Sequence, residues 1–176
     1  MSCVHFISDL HLGHSRILEF SPDRKGGDVD GHSQWLVDAW NSSVKKGDVV
    51  WVLGDVCFSK AHLHYLKRMN GHKKLLIGNH DKWDWETYYG YVNEVRGFTK
   101  YKKNWLSHCP IHPTELRGEY NIHGHVHMNF LQDPNYINVS VEALDGVPIT
   151  WEEIQSLIEK RKTNPEVLLK IREEIA

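Results

Sequence analysis

Four times in this 176-residue chain an apolar run gives way at once to aspartate, asparagine or histidine. "CVHFIS" alternates apolar and polar side chains and runs into "DLHLGH". "VVWVL" ends in "GD", "KKLLI" in "GNHD", and "NWLS" in "HCP". The run Val49 to Leu53, short and rich in β-branched residues, reads as a buried strand, and the others repeat its pattern of an apolar run followed by polar groups. Helix-sized stretches separate them. In "HSQWLVDAWNSSVKK", Trp35, Leu36, Ala39, Trp40 and Val44 fall on one helical stripe. A short helical piece is expected around Ser15 to Phe20, and Ser59 reads as the cap of a helix through about Met69. A further strand is expected over Ile137 to Val141. Thr150 with Glu153 forms a capping box that opens a helix in "TWEEIQSLIEKRK", and Asn164-Pro165 restarts a short final one. Strands alternating with helices predict an α/β fold that carries its chemistry at the carboxyl ends of the strands.

Composition narrows the function classes. The length suits one globular domain spanning 1–176. A formal net charge of -2 gives no strong pull toward nucleic acid or an anionic membrane. The basic runs Lys67 to Lys74, Lys100 to Lys103 and Lys160 to Lys162 read as solvated faces. No apolar stretch approaches the roughly 20 residues of a membrane span, and "MSCVHFISDLHL" lacks a basic segment followed by an apolar one. Cys3, Cys57 and Cys109 are odd in number and lack CxxC spacing, so neither a disulfide framework nor a thiolate zinc knuckle is expected. The expected compartment is the cytoplasm.

Thirteen histidines are a high count for this length and direct attention to metals. The polar residues at the strand ends are Asp9 and His11; Asp55; Asn79, His80 and Asp81; His108; and His123, His125 and His127. Imidazole, carboxylate and amide donors together suit borderline divalent ions such as manganese, iron, nickel or zinc. They outnumber the ligands of one ion, and two ions sharing a bridging carboxylate account for them better. Taken singly, each group has a plainer reading. Asp9 and His11 could be a surface pair, Gly54-Asp55 a turn, Asn79-His80-Asp81 a capping turn and His108 a buried histidine. Their order along the chain favours the joint reading.

In that order, "SDLHLGH", "LGDVCF", "IGNHD", "LSHCP" and "IHGHVH" resemble the five signature blocks of the calcineurin-like metallophosphoesterases: DxH, GD, GNHD, a lone H and GHxH. The resemblance runs from about Val4 to Ile149 and is closest to the small, single-domain bacterial and phage phosphoesterases that have no cap domain. It implies a four-layer α/β/β/α sandwich of two mixed sheets flanked by helices. It also implies that Asp9, His11 and His127 hold one metal ion, that Asn79, His108 and His125 hold a second, and that Asp55 bridges them, with manganese the favoured metal. By the same resemblance, a water or hydroxide held between the ions attacks phosphorus in line. His80 then stabilises charge and protonates the leaving oxygen, and Asp81 orients the His80 ring.

Hydrolysis of a small or nucleotide phosphodiester is the expected reaction. Protein phosphatases of the superfamily read GDxVDRG and GNHE, against "GDVCFS" and "GNHD" here, which disfavours that activity. A phosphomonoesterase or a nuclease is the alternative, and the near-neutral charge argues against long nucleic-acid substrates. A non-catalytic metal-bound scaffold would have lost His80 or several ligands. His14 is a candidate substrate contact. Cys57 and Cys109 are expected to pack away from the site, and His123 to be a buried neighbour of it. His5, His32, His62, His64 and His72 read as surface or capping groups. Core packing is expected of the aromatic cluster Trp83 to Tyr91, with base stacking at the site mouth as the alternative. The loop Ser21 to Gly31, with Arg24 and Lys25, reads as solvated.

Overall fold

The computed structural model describes residues 2–165 and 171–175. Among the described residues nine strands form two sheets. The first has β1 (Val4–Ile7), β2 (Val49–Leu53), β3 (His72–Leu76) and β4 (Glu94–Arg96) parallel to one another, with β9 (Ile149–Thr150) antiparallel on the far side of β1. The second has β5 (Thr99–Tyr101) antiparallel to β6 (Asn104–Leu106), followed by β7 (Asn121–His123) and β8 (Tyr136–Asn138) in parallel. The helices are α1 (Ile17–Phe20), α2 (Val29–Ser43), α3 (His64–Arg68), α4 (Trp85–Tyr89), α5 (Trp151–Thr163) and α6 (Ile171–Ile175). Two mixed sheets flanked by helices match the α/β class read from the strand and helix pattern and the sandwich that the resemblance implies.

One core joins the two sheets. Phe6 and Ile7 of β1, Val50, Val52 and Leu53 of β2, and Leu106, Ile122 and Ile137 of the second sheet are all closed to solvent. Strand β2 lies in the interior of its sheet and is apolar throughout because both of its faces are covered. Leu36 and Trp40 of the expected stripe on α2, with Val37 beside them, enter the same core, where an aliphatic side chain such as Leu36 contributes about 2 kcal/mol. Ser8 fastens the sheets together beyond β1. Its amide donates to the Val139 carbonyl (2.8 Å), and its own carbonyl accepts from Val141 (3.1 Å).

Several local expectations shift. Helix α2 opens at Val29, ahead of His32, because the Asp28 carboxylate accepts from the Gly31 amide (2.7 Å). Ser59 makes no side-chain cap. A 3-10 turn over Lys60–Leu63 leads instead into the short α3. The capping box at Thr150 and Glu153 is present in both directions. The expected strand over Ile137 to Val141 is shorter and earlier, with Ser140 paired only by its bridge to Ser8. Strands β4, β5 and β9 carry no apolar signature of their own. Of the final helix, Ile171–Ile175 is helical, and the stretch 166–170 lies outside the described residues. Among the described residues no helix is long and apolar enough to cross a membrane.

Two members of the basic runs are interior groups rather than solvated ones. Lys73 is buried, with Nζ donating to the Met69 and Gly71 carbonyls (2.8 and 3.1 Å). Arg161 is buried against the Tyr136 carbonyl (2.7 Å) and Glu174 (2.8 Å). The histidines read as peripheral are also unevenly placed. His5 is buried against Asp48 (3.4 Å) and His62 meets Asp30 (3.1 Å).

His32 is fully buried and faces the Arg24 guanidinium, whose Nη1 lies 3.3 Å from its Nε2. Burial, and then the positive charge of Arg24, push its pKa down from 6.5 to about 3. Between those values the unfolded chain binds a proton that the folded chain does not. Stability therefore rises with pH across that window and is lost as pH falls, by about 1.4 kcal/mol per pH unit for this one group. Urea unfolding of metal-free protein between pH 6.5 and pH 4 should show a rise of stability with pH to which His32 contributes this slope, and the non-titrating variant His32→Gln should reduce the slope by that amount.

Candidate metal centre

The loops that leave β1 and β2 are laced to each other through the backbone. Asp9 donates to the Gly54 carbonyl (3.0 Å), His11 to Asp55 (2.9 Å) and Leu12 to Val56 (2.9 Å), and Phe58 returns a bond to Leu12 (2.8 Å). Within this lacing Asp9, His11 and Asp55 adopt left-handed backbone angles, with φ of 61°, 50° and 55°. His125 and His127, in the segment after β7, do the same at 72° and 51°. Such angles cost a non-glycine residue about 1–2 kcal/mol each. They persist only where surrounding bonds over-determine them, and they concentrate at functional sites. Two glycines admit close approaches that a side chain would block. A Cβ on Gly78 would collide with the Asp55 carboxylate, and one on Gly124 with the Ser8 hydroxyl and the Asp9 carboxylate.

The strand ends converge on one cluster of donors. Ligand atoms of Asp9, His11 and His127 lie within 4.8 Å of one another, as do those of Asp9, Asp55 and His108, and those of His108, Cys109 and His125. The His11 and His127 rings stack at 5.0 Å between centroids, and Nε2 of each points toward Asp9 Oδ1, at 3.7 and 3.9 Å. That oxygen and both His11 nitrogens are buried without a hydrogen-bond partner among the described residues. His108 donates from Nδ1 to the Leu53 carbonyl (2.8 Å), which leaves Nε2 facing Asn79 Oδ1 (2.8 Å) and Asp55 Oδ2 (3.3 Å). A bare imidazole nitrogen cannot sit against two acceptor oxygens without a proton or a metal ion between them. Orphaned buried acceptors of mixed nitrogen and oxygen type are what a divalent ion satisfies.

The charge states fit the same use. Burial works against ionising Asp9 and Asp55, yet the histidines around them outweigh it and hold both carboxyls below the usual range. Burial lowers the pKa of His11 and of His125, which keeps their rings neutral and available as donors. At His108 burial opposes the charge, but the hydrogen bond and charge of Asp55, with Asp9, raise its pKa. The ionised carboxylates, the amide oxygen and neutral His11 and His125 are donors ready for cations without further proton loss, whereas His108 and His127, raised by their carboxylate partners, give up a proton more readily as a cation replaces it.

Not every expected site residue plays its expected part. The Asp81 carboxylate accepts backbone amides from Asp55 (2.8 Å), Val56 (2.9 Å) and Gly78 (2.9 Å) and the Tyr88 hydroxyl (3.2 Å). With its lone pairs spent there, Asp81 fastens the β2 and β3 loops together and is not the group that orients His80. The His80 ring is half-buried beside Phe58 (4.8 Å between centroids), on the side of His11. His14 packs on the same phenylalanine (4.3 Å) at the rim of the cluster. His123 is buried at the end of β7, with Nδ1 donating to the Gly124 carbonyl (2.8 Å), and burial pushes its pKa down to about 4. Cys57 is buried as expected, but Cys109 is exposed and turned toward His108 and His125. Pro110 follows at once, and the chain turns there instead of continuing the strand alternation.

Residues beyond the motifs complete the site. An open cavity of about 490 Å³ is lined by His11, His14, Phe20, Phe58, His80 and Met128. A second, of about 480 Å³, is lined by Ile77, Asn79, Phe98, His108, Cys109 and Ile111. The wall aromatics are Phe20, Phe58 and Phe98, not the tryptophan cluster, of which Tyr88 is buried while Trp85 and Tyr89 point to solvent. Arg24, expected in a solvated loop, is buried against Glu142 (2.8 Å), and Glu142 also meets His127 (2.9 Å). Removing the Asp81 carboxylate should leave three inward amides unpaired. Asp81→Ala is expected to lower unfolding free energy by on the order of 3 kcal/mol, read by urea denaturation, and Asp81→Asn by less because one acceptor oxygen remains.

Comparison with known proteins identifies the family. The model of the family described as calcineurin-like phosphoesterase matches residues 4–172. An uncharacterized protein of Methanocaldococcus jannaschii is 32% identical over 174 residues, covering 92% of this chain and 94% of that one. The Gene 66 protein of Mycobacterium phage D29 is 30% identical over 201 residues, covering 90% and 96%. A crystal structure of a protein of unknown function from Aquifex aeolicus superposes with a TM-score of 0.73 at 27% identity, covering 90% of this chain and 100% of that one. With its ordered motif blocks gathered into one donor cluster, the chain belongs to the calcineurin-like phosphoesterase family.

Proposed function

We propose that this chain is a phosphodiesterase with two divalent ions, one held by Asp9, His11 and His127 and the other by Asn79, His108 and His125, with Asp55 between them. The family supplies the coarser statement, metal-dependent hydrolysis of phosphate esters. The preference for diesters rests on one observation: members of the donor cluster line two cavities of nearly equal volume, His11 and His127 the one and Asn79 and His108 the other. A phosphodiester carries two substituents on phosphorus and can fill both. A monoester fills one.

Bound at these positions, paired divalent ions supply Lewis acidity and lower the pKa of water. The protein's own groups do the rest. Neutral His11 and His125 and the ionised Asp9 and Asp55 fix the ions without releasing protons. His80, held over the first cavity by Phe58, is positioned to stabilise charge on a phosphoryl oxygen and to give a proton to the departing one. His14, at the rim of the same cavity, is the proposed phosphate contact. Manganese suits the carboxylate and imidazole donors, and the Cys109 sulfur beside the second position adds a softer donor that favours zinc or iron there. The apolar walls Phe20, Phe58 and Phe98 suit aryl or nucleobase substituents. The proposed compartment is the cytoplasm.

A panel of a bis-aryl phosphodiester, an aryl monoester, cyclic nucleotides and a single-stranded oligonucleotide, assayed on metal-reconstituted protein, tests this. The diesters should give the higher kcat/KM. Preference for the monoester would overturn the reading, and efficient cutting of the oligonucleotide would replace it with a nuclease. His80→Ala should lower kcat by roughly 10²–10⁴-fold while metal content, measured by elemental analysis, stays that of the wild type.

A further inference from the structure

Glu142 lies beyond the five motif blocks, in the segment after β8, and its carboxylate is buried inside the protein. Three donors converge on its Oε1: the Ser21 hydroxyl (2.8 Å), Arg24 Nε (2.8 Å) and His127 Nδ1 (2.9 Å). A buried carboxylate paired with a buried guanidinium accepts only, so the His127 proton must be on Nδ1. In the neutral ring the lone pair is thereby left on Nε2, the atom that points toward Asp9 Oδ1 (3.9 Å). Arg24 extends the connection. Its Nη2 donates to the Asp9 carbonyl (2.7 Å) and its Nη1 to the Leu10 carbonyl (3.1 Å), so one guanidinium grips the left-handed turn that presents Asp9 and His11. The same pair of side chains thus reaches all three members of the first donor group, two through their backbone turn and one through its ring.

We propose that Arg24 and Glu142 are positioning residues for the first metal position, fixing the His127 tautomer and ring and clamping the Asp9–Leu10 turn as one unit. The proposal rests on the reading of Asp9, His11 and His127 as metal ligands. Hydrogen-bonded partners of ligating histidines set ligand basicity and orientation, and their loss typically costs about 10–100-fold in metal affinity. A guanidinium with both ends engaged has no lysine equivalent, because a single ammonium cannot bridge Glu142 and two carbonyls in a planar fork.

The experiment is calorimetric titration of Mn²⁺ into chelator-stripped wild type, Glu142→Gln and Arg24→Lys, with thermal unfolding recorded on each. Glu142→Gln is close to isosteric, and Arg24→Lys keeps the charge. Both variants are expected to lose about 10–100-fold in affinity at one of two positions and little at the other. Equal loss at both positions, or no loss at either, would overturn the proposal. Should either variant fail to fold, nitrogen-proton correlation spectra of the wild-type His127 ring, metal-free, decide the matter. Recorded at a pH high enough for the ring to be neutral, a proton on Nδ1 with Nε2 bare supports the pair, and the opposite tautomer overturns it. Failure of the metal-ligand reading itself has a different signature, because the wild type would then take up no Mn²⁺ at all. Neither measurement depends on which ester the protein hydrolyses.

Discussion

The short ladder between the loops leaving β1 and β2 is the constraint on which the site depends. Neighbouring parallel strands end side by side, and their chains go on exchanging hydrogen bonds beyond the sheet, from Asp9 to Gly54 through Phe58 to Leu12. Three non-glycine residues so held, Asp9, His11 and Asp55, have left-handed backbone angles. A free loop would relax them. Here the ladder is bolted from outside by the Asp81 carboxylate on one flank and the Arg24 guanidinium on the other. The strain is retained because releasing it would break several buried hydrogen bonds together.

That rigidity makes the electrostatics possible. Asp9 and Asp55 are buried, and a buried carboxylate without compensation would take up a proton. Each is instead ringed by imidazoles, and each also accepts a backbone amide: Asp9 from His125 (2.9 Å), Asp55 from His80 (2.8 Å). Preformed donors lose little flexibility on taking up an ion. Glu142 repeats the pattern one layer further in, its charge met by Arg24, Ser21 and His127. The site is therefore a nested set of paired charges in which backbone amides orient the carboxylates and carboxylates orient the rings.

Much of this was legible in the chain itself. An apolar run with β-branched residues must be covered on both faces, so β2 and its neighbours and the α/β class followed from pattern alone. Asp9, Asp55, Asn79, His108, His125 and His127 were legible because polar groups directly after such runs emerge at one edge of the sheet. Strands β4, β5 and β9 were not legible, since three residues such as "EVR" or "TKY" acquire strand geometry only from the partner beside them. Lys73 and Arg161 misled for a related reason: a charged side chain looks solvated until a set of carbonyls is folded around it.

What the sequence by itself determined was the donor inventory and its order, because ligand chemistry belongs to residue types and motif spacing survives without coordinates. Only the tertiary structure decided how those donors are held. Asp81 sits beside His80 in the chain, yet it binds Asp55, Val56 and Gly78, because the turn after β3 swings its carboxylate under the neighbouring loop. Arg24 and Glu142 are 118 residues apart and share no motif, yet they form one buried pair. Orientation of a ligand is a long-range property, set by groups that folding brings together, and nothing local marks them.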